Sequence, residues 1–298
     1  SIQQIERLPR RLVIVGGGPI ALEFSTLFSG FGTEVHIVDN SDRALRNFEP
    51  DVAAYAQGVL ERRNINFHLN NTATLFEKEA DGIRVRLADG SVLEADAVLC
   101  AIGRKPATST LDLGAAGIEV TPRGAVKVDE HLRTNVDGVY AAGDVNGGPQ
   151  FTYVSLDDYR IVQDQLIGDS QRSRADRKAI PTATFITPPL AQVGLSEREA
   201  TDQGVSYLVA SKPVANIAAM PRPKTLGETH GLIKVLVDPE TDEILGATIF
   251  SVDAQEVINL VALAMRNRIT ATALRNGIWT HPSSTEALNE VLGELHTP

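Results

Sequence analysis

The chain has 298 residues, of which 43% are hydrophobic and 22% are charged, which predicts a globular protein of two or three domains. Its formal net charge of −10 opposes nonspecific binding to nucleic acid or to an anionic membrane. The apolar run at residues 257–265 is too short to span a bilayer and no charged-then-apolar leader follows Ser1, so we expect a cytoplasmic protein with no nucleic-acid or membrane partner.

A strand, a glycine-rich turn and a helix come first along the chain. Residues 12–15 form a short apolar run typical of a buried parallel strand, and Gly16, Gly17 and Gly18 follow it. From residue 20 onward apolar residues recur at helical spacing, and Ala21 takes the third small position of the turn. This order brings the N-terminus of a helix against a pyrophosphate and predicts a dinucleotide site, the alternative being an ordinary tight strand-to-helix turn.

An acidic residue ends the next predicted strand, at residues 35–38. Asp39 stands 23 positions after Gly16, near the distance expected for a carboxylate that accepts hydrogen bonds from the adenosine ribose. We therefore favour NAD over NADP, because Asp39 would repel a 2′-phosphate. Arg43 and Arg46 follow closely and keep NADP open as the less favoured cofactor.

Further along the chain the pattern alternates between short strands and helices. The single cysteine, Cys100, lies in the apolar run 97–102, so we expect it to be buried as a small hydrophobe, and one cysteine allows neither an internal disulfide nor a cysteine-rich metal site. We predict no metal site, and we interpret the polar stretch 168–178 as a linker. The other predicted strands are 66–69, 73–78, 83–87, 92–95, 138–142, 183–186, 207–211, 232–237 and 244–250, and the other predicted helices are 51–63, 157–167, 254–266 and 284–295.

Six segments together carry a family resemblance. They are GGGPIALE, IVDNSDRAL, DAVLCAIGRKP, TNVDGVYAAGDV, IPTATFITPPLAQVGLSE and THPSSTEALNEV. They resemble the flavin- and pyridine-nucleotide-dependent disulfide oxidoreductases, the group of glutathione reductase, lipoamide dehydrogenase and mercuric reductase. The resemblance covers essentially the whole chain and implies an α/β fold: a Rossmann-type NAD domain (1–105) inside a partial FAD domain (106–178), followed by an α+β dimerisation domain (179–298).

The resemblance also implies roles for individual residues. By this resemblance, Glu23 would lie near the nicotinamide and Asp144 would form a hydrogen bond with the ribityl chain of FAD. His281 would be an acid/base held by Glu286. Three alternatives stay open: Glu23 as a first-turn acid favoured by the helix dipole, Asp144 as a helix N-cap, and His281 as an ordinary surface or capping histidine. The residues expected to bind cofactor are Gly16, Gly18, Ala21, Glu23, Asp39, Gly103, Gly143 and Asp144.

The implied reaction is transfer of hydride from NADH to FAD and then of electrons to a disulfide, thiol or metal-ion acceptor, in a homodimer. The segment PQFTYVSLDDYRIV and the pair Pro188-Pro189 most resemble the reactive-chlorine-resistance branch, thought to reduce copper(II). The first flavin glycine turn and the paired redox cysteines are absent, so we expect this chain alone not to reduce a disulfide. Two functions compete: part of an NADH- and FAD-dependent oxidoreductase, favoured by His281 and Glu286, or a catalytically silent NAD-binding and dimerising module or half of a split enzyme.

Overall fold

A computed structural model describes residues 2–298, and the contacts among them divide the chain into two units. The first unit joins the residues up to Ile102 with Ala179–Pro298, and the second is Gly103–Lys178. The segments predicted to bind NAD and to form the dimerisation domain therefore pack together in one unit, although the second unit separates them along the chain.

A four-stranded parallel sheet forms the N-terminal part of the first unit. Its strands are β1 (Arg11–Val15), β2 (Glu34–Val38), β3 (Ile65–His68) and β7 (Ala97–Cys100), with helices α1 (Pro19–Gly30) and α2 (Pro50–Glu61). The strand order is β3-β2-β1-β7. In β1, Leu12 and Ile14 pack in the cluster that includes both helices, whereas Val13 packs on the opposite face. Both faces are covered, which explains the uninterrupted apolar run of β1.

A three-stranded antiparallel meander covers the Val13 face. It consists of β4 (Ala73–Glu79), β5 (Gly82–Leu87) and β6 (Val92–Ala95) in that order. Val85, Leu87 and Ala95 pack with Val13 and Val38. The four predicted strands between residues 66 and 95 are confirmed, each with its ends within one residue.

A five-stranded antiparallel sheet forms the rest of the first unit. Its strands are β8 (Thr182–Thr184), β9 (Leu190–Gly194), β10 (Leu208–Pro213), β11 (Leu232–Val237) and β12 (Ile244–Phe250), in the order β10-β11-β12-β9-β8. The helices here are α4 (Glu197–Asp202), α5 (Pro221–Thr225), α6 (Ala254–Arg266), α7 (Ala271–Arg275) and α8 (Ala287–Val291). Every residue of β11 is buried, and α6 packs its apolar face on β9 and β12. This arrangement builds the largest hydrophobic core of the chain's described residues.

Lys234 joins the two parts of the first unit. This lysine lies in the buried strand β11, and its Nζ donates hydrogen bonds to Glu49 (2.9 Å), Asp51 (2.6 Å) and Glu197 (2.7 Å). Glu49 also accepts a hydrogen bond of 2.6 Å from the backbone N–H of Glu197. Burial disfavours the ammonium ion, but the three carboxylates outweigh that effect and raise the pKa of Lys234. The cluster thus ties the start of α2 to the start of α4.

The second unit contains one long helix, α3 (Thr152–Ile167), and two short 3-10 turns, Gly143–Asn146 and Arg174–Asp176. Its small apolar core includes Leu132, Val154 and Ile161. The predicted linker 168–178 is folded, because Ser173 and Asp176 cap the second turn and arginines of this segment form ion pairs with α3. The predicted helix 157–167 is confirmed but begins five residues earlier.

Several predictions of local structure are wrong. Residues 138–142 form no strand: Tyr140 makes a single bridge to Arg133, because the hairpin there is short and turns at Gly138. The strand β9 was not predicted, since its five residues follow Pro188-Pro189 and show no clear alternation. Of the predicted helix 284–295, only α8 is helical. Before it, the carboxylate of Glu286 accepts a hydrogen bond from the backbone N–H of Ser283 in the loop, and after it the chain reaches Gly293.

Cys100 is exposed, contrary to the predicted burial. It is the last residue of β7, which is an outer strand of the parallel sheet and pairs only with β1. The apolar run 97–102 indicated a strand correctly but could not show that the strand lies at the sheet edge.

Candidate functional site

The glycine-rich turn after β1 has the backbone geometry of a nucleotide-binding turn. Gly16 has φ +114°, and a Cβ there would come within 2.6 Å of the Ala101 carbonyl oxygen, so no other residue fits without strain. Gly18 caps α1, and a Cβ on it would meet no atom within 4 Å. The protein itself therefore gives no steric reason for glycine at position 18, whereas a phosphate approaching the N-terminus of α1 would.

Asp39 lies directly against this turn. Its Oδ2 accepts a hydrogen bond of 2.6 Å from the backbone N–H of Gly17, and its Oδ1 accepts one of 2.8 Å from Ser41. A carboxylate has about four lone-pair positions, so two ribose hydroxyls can still donate to it. Of the two arginines considered for binding a 2′-phosphate, Arg43 is the nearer to Asp39 in sequence. Its Nη1 lies 3.5 Å from Oδ2 of Asp42.

Ala21 and Glu23 lie in the first two turns of α1. Ala21 is fully buried, which fits the close helix–sheet packing expected of the third small residue. Glu23 is the fifth residue of the helix, so the alternative of a first-turn acid is wrong. Its Oε1 accepts a hydrogen bond of 2.9 Å from the backbone N–H of Phe185, just after β8.

Asp144 lines an open cavity of about 510 Å³ in the second unit. Its Oδ2 lies 3.2 Å from Nη2 of Arg104. The alternative of Asp144 as a helix N-cap is wrong, because Ala142 precedes its 3-10 turn and Phe151 precedes α3, and neither position has a side-chain cap. Arg104 also lines the cavity, together with Ala142, Gly143, Gln150, Thr152 and Ser155.

Gly143 and Gly103 both adopt conformations that favour glycine. Gly143 has φ +78°, and a Cβ there would lie 3.0 Å from Oγ of Ser155. Gly103 has φ +127° at the start of the second unit. The turn that carries Asp144 thus packs closely on α3, and a side chain at position 143 would disturb it.

His281 and Glu286 meet as the motif predicted. Nδ1 of His281 lies 2.9 Å from Oε1 of Glu286, and Oε2 of Glu286 accepts 2.8 Å from the N–H of Ser283. The hydrogen bond with His281, followed by that from Ser283, lowers the pKa of Glu286. An ionised Glu286 can only accept, so Nδ1 of His281 carries the proton and Nε2 is left as a base. The imidazole is 72% exposed and Glu286 only 16%.

The side chains that anchor the loop between His281 and Glu286 were not predicted from the sequence. The buried Ser284 donates from Oγ to Oδ2 of Asp253 (2.9 Å), and Nε of Arg222 donates to the same oxygen (3.1 Å). Asp253 directly precedes α6 and has φ +61°. These partners are 31 residues apart in sequence, so no local pattern could have indicated them.

A membrane-spanning helix and a metal-binding cluster are both absent from residues 2–298. No helix there is long and apolar enough to cross a bilayer. No three His, Cys, Asp or Glu side chains of that range converge as a metal site.

Comparison with known protein families places both parts of the chain. A family model described as pyridine nucleotide-disulphide oxidoreductase matches residues 2–158, and the model of the dimerisation domain of the same proteins matches residues 180–292. Together they match more than half of the chain.

Three curated relatives illustrate the range of similar proteins. A probable pyridine nucleotide-disulfide oxidoreductase, RclA of Escherichia coli, is 40% identical over 98% of this chain and 65% of its own length. A dihydrolipoyl dehydrogenase of Bacillus subtilis is 33% identical over 96% of this chain and 61% of its length, and a mercuric reductase of Bacillus cereus is 31% identical over 97% and 46%. The chain thus spans about half to two thirds of these relatives.

Solved structures show the same relationship. The HOCl-induced flavoprotein disulfide reductase RclA from Escherichia coli superimposes with a TM-score of 0.94 at 39% identity, covering 98% of this chain and 66% of that one. A Cu(II) complex of the same protein gives the same TM-score. LpdA from Mycobacterium tuberculosis gives 0.87 at 26% identity, covering 97% and 62%.

Proposed function

Because this chain belongs to the pyridine nucleotide-disulphide oxidoreductase family, we propose that it provides the nicotinamide site, part of the flavin site and the acid/base histidine of an NADH-dependent flavoprotein oxidoreductase. Members of the family bind FAD and use NAD(P)H. The observation that carries the proposal is the glycine turn held against Asp39, since its open Gly18 and hydrogen-bonded carboxylate fit a dinucleotide.

The nicotinamide nucleotide binds at this turn. Gly16 and Gly18 let the backbone approach the pyrophosphate, and Ala21 keeps α1 close to the sheet. Asp39 accepts hydrogen bonds from the ribose and repels a 2′-phosphate, which favours NADH over NADPH. Glu23, already oriented by the N–H of Phe185, faces the nicotinamide end.

The residues of the flavin motif fit FAD as far as they are present. Asp144 is half-exposed at a cavity, where its carboxylate can accept from the ribityl hydroxyls, and Gly143 keeps its turn close to α3. Gly103 follows β7, the strand that closes the nucleotide domain, and begins the second unit. FAD, when bound, would supply the two-electron chemistry that links NADH to an acceptor.

His281 exchanges a proton with the acceptor. Glu286 fixes the tautomer, so Nε2 of the exposed imidazole can take or return a proton. The exposure of the imidazole supports a homodimer in which His281 completes the site of the partner subunit. We propose a disulfide, a thiol or a metal ion as the acceptor, copper(II) being favoured by the Cu(II) complex of the Escherichia coli relative.

From the family resemblance we propose domain limits of 1–105 for the NAD-binding part, 106–178 for the flavin part and 179–298 for the dimerisation part. We also propose that the protein is cytoplasmic. With Cys100 as its only cysteine, this chain does not reduce a disulfide by itself.

The test is an absorbance spectrum of the purified protein with FAD, recorded at about 450 nm before and after anaerobic addition of NADH. We expect a bound-flavin band that NADH bleaches. A bound flavin that saturating NADH leaves oxidised would contradict the oxidoreductase.

A second candidate function is a silent NAD-binding and dimerising module, or half of a split enzyme. It is favoured by the single cysteine, because this chain has no pair of redox cysteines. A colourless protein that binds NADH saturably but no FAD would support this candidate.

A further inference from the structure

Asp158 is a nearly fully buried acid that the sequence analysis left as an ordinary residue of a helix. It lies in the second turn of α3, and the residue is 1% exposed. A buried carboxylate is costly unless its charge is paired and its oxygens accept hydrogen bonds. Its surroundings meet this requirement in a way that involves the Asp144 turn.

Both residues that flank the pair Asp144-Val145 donate to Asp158. Its Oδ2 accepts 2.7 Å from the backbone N–H of Gly143 and 2.8 Å from Nδ2 of Asn146. Asn146 in turn accepts from the N–H of Gly148 and donates to the carbonyl of Ala141. The carboxylate therefore fixes both ends of the Gly143–Asn146 turn.

The other oxygen of Asp158 accepts from Nη2 of Arg177, and Nε of the same arginine donates to Asp157 (2.7 Å). Arg177 thus neutralises the buried acid from the segment that follows α3. An asparagine at position 158 would have one acceptor oxygen for three donors. Its amide N–H₂ would face either Arg177 or the Gly143 and Asn146 donors, so the site requires a carboxylate.

We propose that Asp158 is a positioning residue for the flavin site: through Gly143 and Asn146 it fixes the turn that presents Asp144 to the cavity. This inference rests on the proposed function, because Asp144 is there assigned to the ribityl chain. Asp158 itself is buried and touches no ligand; it acts through the orientation of the turn.

The neighbouring acid provides a matched control. Asp157 shares Arg177 with Asp158 and lies 3.3 Å from Arg172, but it makes no hydrogen bond to the turn. Asp157→Asn removes the same charge one residue away, so any effect of Asp158→Asn beyond it reports on the turn.

Two measurements on the purified protein compare these variants. FAD titration should give a dissociation constant about tenfold higher for Asp158→Asn, which corresponds to about 1.4 kcal/mol, and close to the unsubstituted value for Asp157→Asn. Without FAD, hydrogen exchange of the amides at 143–148 should be about tenfold faster in Asp158→Asn alone. If Asp158→Asn does not fold, Asn146→Ala, which keeps the buried ion pair, should still weaken FAD binding more than Asp157→Asn.

Equal effects of Asp158→Asn and Asp157→Asn on FAD affinity and on exchange at 143–148 would overturn the inference. If the unsubstituted protein binds no FAD, the proposed flavin site fails, and with it the role of Asp158 toward FAD. The exchange comparison then shows separately whether Asp158 holds the turn.

Discussion

Asp39 has both oxygens engaged by the backbone without any ligand, one by Gly17 and one by Ser41. The Asp39 side chain is therefore already ordered before a ligand binds. Binding of a ribose then costs less conformational entropy of this side chain. Replacing Asp39 with arginine would remove the hydrogen-bond acceptor for the ribose. It would also place a cation where a 2′-phosphate would lie.

We predict that Asp39→Arg weakens NADH binding about tenfold or more and shifts preference toward NADPH, because hydrogen bonds to charged groups contribute about 1.5–3 kcal/mol. Equilibrium titrations with both nucleotides measure this. The control is Asp42→Asn, an exposed acid three residues later, which should leave NADH affinity unchanged. An unaltered ratio of the two affinities in Asp39→Arg would refute the ribose assignment.

The pair of His281 and Glu286 predicts a pH-dependent contribution to stability. The folded-state pKa of Glu286 is lowered from 4.5, so the contribution is fully present above pH 4.5 and is lost as the pH falls through the folded value. Glu286→Gln should therefore be less stable than the unsubstituted protein at pH 7, and the difference should narrow as the pH falls below 4.5. Urea unfolding at several pH values measures it, and a difference independent of pH would count against the ionised pair.

At this scale, sequence reasoning could predict residues whose partners lie in the same motif. Asp39 follows its turn at a known spacing, and Glu286 follows His281 by five residues. The partner of Glu23 lies 162 residues away, and that of Ser284 lies 31 residues away. Such contacts depend on how distant segments fold together, which no local pattern records.

Among the elements, the strand β11 is joined to the two helices α2 and α4 by one buried lysine. Lys234 is 4% exposed and contacts three carboxylates from α2 and α4 or the residues before them. Removing one partner of a buried ion pair leaves the other charge uncompensated, and Glu49 is itself buried.

We predict that Lys234→Met lowers the free energy of unfolding by about 3–5 kcal/mol, measured by urea denaturation. The control is Lys127→Met, whose exposed ion pair with Glu119 should contribute less than about 1 kcal/mol. An equal decrease in the free energy of unfolding of the two variants would show that the Lys234 cluster does not stabilise the fold more than an exposed ion pair does.

The elements that the sequence predicted well are those with strong periodicity and clear ends. The strands β11 and β12 and the helix α6 have the predicted limits, because long apolar runs and an amphipathic pattern define them. The elements it missed, such as β9 and α7, have five residues each and form because neighbouring strands and helices pack on them. Their stability comes from tertiary contacts rather than from local preference.

For the whole molecule, the match to a dimerisation domain and several exposed apolar residues support a homodimer. Ile278 is 100% exposed and lies three residues before His281. A homodimer that buries this loop would remove the side chain from water and bring His281 to the partner's site.

We predict that light scattering after size exclusion gives the mass of a dimer and that Ile278→Asp shifts the population to monomer. Leu75→Asp, on the exposed face of the meander, is the control and should remain dimeric. A monomer for the unsubstituted protein at all concentrations would contradict the proposed completion of one subunit's site by the other.

The most direct test of the account is an equilibrium titration of the purified protein with NADH and with NADPH. Both candidate functions depend on the turn at Gly16–Gly18 and on Asp39, so both require this site to bind NADH. We predict saturable binding of one NADH per chain, with NADPH at least about tenfold weaker because of Asp39. No saturable binding of NADH, or tighter binding of NADPH, would contradict the account.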